Sequence, residues 1–545
     1  MLKREMTQNS GDRHDEEKEK NGSTSPPGDP FLKYKIFKQI SLVIVWICLG
    51  FYLEITGPAL PDLKDRIGVD LEKISQTLVA SSVGVFIGSF TGGILHERFY
   101  RRIELHLSLG LLVAAISTTC VPHVGHVSLV ALCFFINGLT EGFINIGGNT
   151  ILMHMWGEQA AAPMHSLHFG FGVGAIIAPQ VVRPFLAPRN QGNKTKQGSI
   201  AAVETIYNIS TYPAPTVKSP IKDVSRIEFA FMIAGIVTLC CSVLWLVIYI
   251  RGPPRDYPTR QGSLKITRKM FSPATWARGD MLFGSFIMAV IFFFFIQAAG
   301  GQRAYGRFLF TFLVETDLQF SNTEAANLNS LFWGSFTAGR ATGIPIANFV
   351  STPVMIGIQA FAQLITCIIM AAAVFQNRLI VWIFSVPLGY FMAQVYPSGL
   401  AWSNIYLDMN SVSVMVLGVG ASTGGILYQY LPGYLVKIYG QSTLLYVMVM
   451  YGICLVIAFV IMTLLARVYV RRNPKQVEEV EIEDAATAEP QDEMPLRGGS
   501  GEDEVFELQG KTFVEPQKND ITTKLQATKN DNVIASEQEG MSKPV

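Results

Sequence analysis

The sequence predicts an all-α membrane protein, with twelve transmembrane helices arranged as two six-helix bundles. Three observations carry that prediction. Hydrophobic residues make up 49% of the 545 and charged residues only 16%, where a soluble domain carries about 25% charged residues. The apolar residues gather into twelve runs, each long enough to cross a hydrocarbon layer about 30 Å thick. Those runs group as six, a basic loop and six more, the pattern of a membrane protein built from repeats.

Taken in order, the runs lie near 39–60, 77–96, 104–122, 127–152, 162–186, 228–250, 280–301, 327–349, 353–375, 378–402, 411–435 and 442–466. The seventh runs on through Phe308–Val314 if Gly300, Gly301 and Gly306 merely punctuate it. Residues 1–38 read as a disordered cytoplasmic tail, and the first bundle covers 39–250. A cytoplasmic loop at 251–279 leads to the second bundle at 280–466. Residues 467–545 are acidic and polar, with too few apolar side chains to offset the entropy of ordering. Met1–Pro30 lacks a signal-peptide pattern, so the first run is expected to act as a signal anchor.

Lys and Arg concentrate on one set of loops: Lys33, Lys35 and Lys38, then Arg98, Arg101 and Arg102, the 251–279 loop, and Arg467, Arg471 and Arg472. The positive-inside bias therefore puts both chain ends in the cytoplasm. That orientation leaves the 187–227 loop outside, where Asn193 and Asn208 form glycosylation sequons. The expected location is the plasma membrane. All seven cysteines lie in apolar runs, so no structural disulfide is expected. Spacing for a metal site, a nucleophile–base cluster and a cofactor loop are absent from the sequence, which argues against an enzyme. A net charge of +1 does not favour nucleic acid. The partners expected are the bilayer and a small solute, with the chain acting as a monomer.

Within the fourth run, Asn137, Glu141, Asn145 and Asn149 recur every four residues. On a helix they form one polar stripe, turning about 40° per step. A carboxylate at that depth is costly, so it should face a bundle interior or a watery cavity. The stripe is either a hydrogen-bonded packing seam or the lining of a transport pathway. Small residues occur at matched places in both halves: Gly84, Gly88 and Gly92 in the second run, Gly420 and Gly424 in the eleventh, Gly170 and Gly174 in the fifth, and Gly339 and Gly343 in the eighth. Pairing spans two with eleven and five with eight, they are expected at the interface between bundles.

The segment Gly93-Ile-Leu-His-Glu-Arg-Phe-Tyr-Arg-Arg102 resembles the signature of the major facilitator superfamily between its second and third helices. Glu97 stands where Asp is usual, and Tyr100 replaces a Gly. The resemblance implies an inner gate in which Gly93, Glu97, Arg98, Arg101 and Arg102 hold one state closed, with Arg340 either pairing with a carboxylate across the bundles or snorkelling to the surface. Three further segments resemble the sodium-dependent glucose transporter family: Gly57–Asp62, His165–Pro179 and Leu331–Arg340. This narrower resemblance covers roughly residues 40–466. It implies a cation-coupled hexose carrier, distantly related to bacterial fucose–proton symporters. In those symporters the first and fourth helices each supply an acid involved in coupling. Glu54 and Glu141 are the corresponding candidates here, with Na⁺ (or H⁺) as the co-transported ion and no other cofactor. Glu54 is alternatively paired with a nearby Arg or placed at the outer mouth.

A hexose presents hydroxyls, so its site calls for amides, imidazoles and aromatic faces. Candidates inside the runs are Asn137, Asn145, His168, Gln180, Gln302, Trp333 and Gln394. The segment around Gln302 resembles one in which the family often carries Glu. The expected function is Na⁺-coupled uptake of a hexose, glucose first, by alternating access. The rivals are a proton-coupled or facilitative carrier of another small polar solute, such as urea or an organic anion, and a non-transporting sensor or scaffold.

Overall fold

The structure is a computed structural model that describes residues 30–157, 161–188, 225–255, 257, 272–277, 279–347, 349–407, 411–440 and 442–472. Both sequons, most of the 251–279 loop and the chain beyond Arg472 lie outside the described residues.

The first span is two helices, α1 (Leu32–Glu54) and α2 (Thr56–Ile67), separated at Ile55. Pro58 explains the break: it has no N–H to donate to the carbonyl four residues back, at Glu54. The next five spans are α3 (Leu71–Arg98), α4 (Ile103–Cys120), α5 (Val127–Trp156), α6 (Ala161–Val182) and α7 (Ile227–Arg251). A short α8 (Pro273–Trp276) precedes the second bundle. That bundle comprises α9 (Met281–Glu315), α10 (Asn322–Ala347), α11 (Thr352–Ala373), α12 (Leu379–Tyr406), α13 (Ser411–Tyr439) and α14 (Thr443–Arg472).

Nine of the spans are long and apolar enough to cross a membrane by length and composition. The remaining three, α6, α10 and α13, have 22, 26 and 29 residues; His165, His168 and Gln180 in α6 and Asn322, Asn327 and Asn329 in α10 are among the residues that lower their hydropathy. The seventh span is one unbroken 35-residue helix, α9, despite its glycines. Two boundaries move outward from the sequence reading. Helix α1 begins at Leu32, inside the segment read as tail, and α14 runs to Arg472. Hydropathy marks only the lipid-embedded part of a helix, and basic side chains extend beyond it without breaking it. Lys38, buried near the start of α1, donates to Glu104 of α4 at 2.6 Å.

An even number of spans returns the chain to the side on which it began. Leu32 and Arg472 therefore share a termini side, opposite a loop side that carries the turn between α2 and α3. The matched glycines do not lie between the bundles as the sequence suggests. Gly84, Gly88 and Gly92 of α3 meet α5 at Phe135, Leu139 and Phe143, and Gly138 and Gly142 of α5 answer them against Ser81 and Val85. Gly170 and Gly174 of α6 meet α1, while Gly420 and Gly424 of α13 meet α9, and Gly339 of α10 meets α12. The equivalences are thus spans two and four with eight and ten, and one and five with seven and eleven. All four pairs lie within a bundle. Direct backbone approach locks neighbours together without a hydrophobic driving force, which lipid does not supply.

The bundles meet through fewer contacts, which run from the loop side to the middle of the helices. Ser82 of α3 donates to Gln429 of α13 at 3.0 Å, and Lys437 reaches Glu72 at 3.0 Å. Gln180 of α6 donates to Asn327 and Ser330 of α10 at 3.2 and 3.0 Å. One helical turn or more below, Gly172 faces Thr337. Lys64 of α2 and Glu315 of α9 form an ion pair at 2.5 Å. Gly57 lets α2 approach Gly306 of α9, an added Cβ lying 3.0 Å from that carbonyl.

Two substitutions test the in-bundle role of glycine. A Cβ at Gly138 would collide with the Ser81 carbonyl, whereas one at Gly93 meets nothing within 4 Å. Gly138→Val should destabilise the protein by about 1–3 kcal/mol through overpacking, read as a lower unfolding midpoint in detergent. Gly93→Ala should unfold at the wild-type temperature or above.

Candidate functional site

The polar stripe on α5 leads to the centre of the molecule. Glu141 is buried and accepts a hydrogen bond from Arg303 Nη2 of α9 at 2.8 Å. One helical turn along α9, Arg307 Nη2 lies 3.5 Å from Glu54 at the end of α1. The side chains of Glu54, Glu141 and Arg307 are 8%, 8% and 5% exposed, and Arg303 alone retains 22%. Each guanidinium is also within electrostatic range of Glu54, so the four charges form one cluster. Both acids come from the first bundle and both bases from the second. Its net charge is zero.

Local sequence explains the placement. The proline-induced break after Glu54 ends α1 at the acid and directs α2 onto α9. Gly306, between the two arginines, gives room for the ring of Trp333 and for the α2 backbone at Gly57. Arg303 and Arg307 are four residues apart and so project from one face of α9. Glu141 Oε2 and Arg307 Nε are buried without a hydrogen-bond partner among the described residues. The Tyr52 phenol lies beside Thr140, Glu141 and Arg307. The arrangement can bind a cation or hydroxyls at the spare carboxylate oxygen, and it can exchange guanidinium for another cation as the bundles part.

The other sequence candidates separate into those at this interface and those elsewhere. Trp333 is buried over Gly306, with its ring centroid 6.1 Å from that of Phe171 of the first bundle. Asn145 continues the stripe toward the termini side and is partly exposed, as is Gln302 beside Arg303. His168 of α6 lies within electrostatic range of Arg340. Gln180 joins the bundles through Asn327 and Ser330, a structural contact in this state.

Two of the candidate amides are engaged within a bundle. Asn137 is buried and accepts from Thr118 of α4 at 3.4 Å, so the first residue of the stripe is a packing seam. Gln394 donates to the Gly339 carbonyl at 3.1 Å and accepts from Gln359 at 3.3 Å, which ties it into a hydrogen-bond network of α10, α11 and α12. Both side chains are held by hydrogen bonds within one bundle in this structure.

Arg98, Arg101 and Arg102 are exposed on the termini side, and the Arg98 guanidinium lies 5.9 Å from the Phe99 ring centroid. The side chain of Glu97 lies outside what the structure describes. Arg340 neither pairs with a described carboxylate nor snorkels to the surface; it faces the Phe336 ring at 5.2 Å.

Arg303 and Arg307 were the residues missed. Their signal was in the sequence: two arginines in register inside an apolar run, each costly unless partnered. A seventh span ending near 301 leaves them outside, whereas its extension through Phe308–Val314 takes in both.

Two pseudo-equivalent bundles meeting around a buried polar cluster define a membrane transporter of the two-bundle class. The chain belongs to the Major Facilitator Superfamily, whose sequence profile matches residues 42–424. It is similar to sodium-dependent glucose transporter 1 of Xenopus laevis, 26% identical over 495 residues, covering 90% of this chain and 93% of that one. The Homo sapiens protein of the same name is 26% identical over 385 residues, 69% of each chain. Major facilitator superfamily domain-containing protein 4B of Danio rerio is 23% identical over 484 residues, 82% of this chain and 89% of that one. Among solved structures, nucleoside transporter NupG matches with a TM-score of 0.56 at 13% identity, over 78% of this chain and 99% of the other. A variant of the E. coli fucose:proton symporter gives 0.52 at 16% identity, over 79% and 99%. At such identities the structural matches establish the fold.

Removing one partner of a buried pair strands the other charge, at a cost of about 3–5 kcal/mol. Arg303→Gln should therefore lower the unfolding midpoint markedly, and adding Glu141→Gln should recover most of the loss. A double variant as unstable as the single one would show that the two side chains are not energetically coupled.

Proposed function

We propose that this protein is a cation-coupled secondary transporter of a hexose, with Na⁺ and glucose the first candidates, acting at the plasma membrane with both chain ends cytoplasmic. The observation that carries the reading is the pair of acid–guanidinium contacts bridging the two bundles. In the state described, the loop side is closed and Arg303 and Arg307 neutralise Glu141 and Glu54. Opening the loop side separates α9 from α1 and α5, so both acids lose their counter-charge. A buried carboxylate cannot stay unpaired without several kcal/mol of penalty. A cation entering from the loop side supplies the missing charge, and the arginines displace it when that side closes again.

Orientation follows from the basic residues at the termini side, Lys33, Lys35, Arg98, Arg101, Arg102, Arg467 and Arg471. With that side cytoplasmic, the described state faces inward and the cation enters from outside. The sugar would bind beside the cluster, on the face of Trp333 and the amides of Asn145 and Gln302. The names of the relatives, sodium-dependent glucose transporters, support both the solute and the ion.

A second reading has its own observation. Each acid already has a built-in cation, so the arginines can stand in permanently for Na⁺ and make the protein a facilitative carrier. Replacing Na⁺ with choline during labelled-glucose uptake separates the two. Under the coupled reading, choline abolishes accumulation above the external concentration, and Glu141→Gln does the same while surface expression persists. Accumulation that is normal in Glu141→Gln would remove that residue from coupling, and indifference to Na⁺ and to a proton ionophore would establish the facilitative reading.

A further inference from the structure

Three helices of the second bundle have ends on the termini side that enclose a cavity. Helix α11 begins there at Thr352, and α12 and α14 finish there at Tyr406 and Arg472. The cavity has a volume of about 300 Å³ and is lined by Pro353, Trp402, Tyr406, Thr463, Arg467 and Arg471. All of these belong to the second bundle, so the central cluster makes no use of it.

Its lining is cationic at one place and aromatic at another. Arg467 and Arg471 are four residues apart and project from one face of α14. Neither guanidinium has an ion pair or a hydrogen bond among the described residues. Like charges at that spacing destabilise a helix, and an anion seated between them would remove the cost. The N-terminus of α11 adds a third positive end. Ser351 caps it without a side-chain hydrogen bond, and Pro353 in its first turn forms part of the cavity wall. The aromatic wall is Trp402 on Tyr406, with ring centroids 4.5 Å apart, backed by Tyr469 at 6.0 Å from Tyr406. Trp and Tyr favour the depth of lipid headgroups. Val354, Ile405, Leu464 and Val468, each the chain neighbour of a lining residue, are exposed apolar side chains. A cationic pocket thus borders an apolar surface.

We infer that this cavity binds the headgroup of an anionic phospholipid of the cytoplasmic leaflet. The leaflet follows from the orientation proposed above, and it is the one that carries anionic lipid. The planar guanidinium forks match phosphate oxygens through paired hydrogen bonds. The acyl chains lie along the exposed apolar residues beside the pocket. A free phosphate would satisfy the arginines and leave that border unused, so the surroundings favour a lipid. The bound lipid braces three helix ends within one bundle.

The test counts lipids retained by the purified full chain in detergent, using native mass spectrometry with phosphatidylserine and phosphatidylcholine of the same acyl chains. The wild type should hold phosphatidylserine more tightly by about tenfold or more, since each arginine near the headgroup is worth about fivefold. Arg467→Gln and Arg471→Gln should each lose about fivefold of that preference. Arg251→Gln, at the exposed termini-side end of α7 and outside the cavity, should keep it. Without lipid, Arg467→Gln should unfold no lower than wild type, because it relieves a repulsion and breaks no described ion pair. Equal retention of the two lipids by the wild type overturns the inference. An equal loss in Arg251→Gln also overturns it, assigning the preference to the general charge of that side. A lowered unfolding midpoint in Arg467→Gln with an unchanged preference does the same, giving the arginine a structural role. Displacement of phosphatidylserine by millimolar inorganic phosphate overturns the lipid assignment in favour of a free anion. None of these outcomes depends on the solute or the coupling ion.

Discussion

The separation of charge between the bundles is the constraint on which the rest depends. Two acids on α1 and α5 and two bases on α9 are affordable in a low-dielectric interior only while they face one another. The same pairing that stabilises the closed loop side makes it a conditional state. Any motion that parts the bundles has to find another partner for Glu54 and Glu141. On the proposed coupling, that requirement is what would make the conformational change ion-dependent, without any dedicated lever.

Such a device works only if the bundles move as bodies. The glycine contacts provide this by bringing helix backbones together inside each bundle, where side-chain rearrangement cannot loosen them. Between the bundles the contacts are of another kind. Ser82 with Gln429, Gln180 with Ser330 and Lys64 with Glu315 are polar, near the loop side, and replaceable by water when they break. Backbone contact is extensive within each half, while between the halves a few close approaches, such as Gly57 on Gly306, are joined by polar contacts that water can replace.

The twelve spans and their class were legible because the bilayer imposes a length and a composition on each helix. Glu141 was legible for the same reason, since a carboxylate inside such a run demands an explanation. Hydropathy could not show which helix a small residue faces. Gly84 and Gly420 therefore suggested an interface between bundles, and the structure puts them inside two separate ones. Nor could spacing distinguish Asn137, closed off by Thr118, from Asn145 two turns later on the same stripe. The stripe turns as it descends, and tertiary contacts alone decide where it leaves the seam. Arg303 and Arg307 were hidden by a boundary error of a few residues, enough to move the main counter-charges out of the membrane on paper.

The zero net charge of the central cluster has an electrical consequence. Moving one elementary charge across a membrane potential of 100 mV involves about 2.3 kcal/mol. A quartet of zero formal net charge that moves as a unit adds nothing to that sum, so these four side chains do not by themselves make the unloaded transition feel the voltage. In the proposed cycle the field would act instead on the incoming cation. A cell's resting potential would then accelerate the loaded half of the cycle and leave the return unaffected by these four side chains.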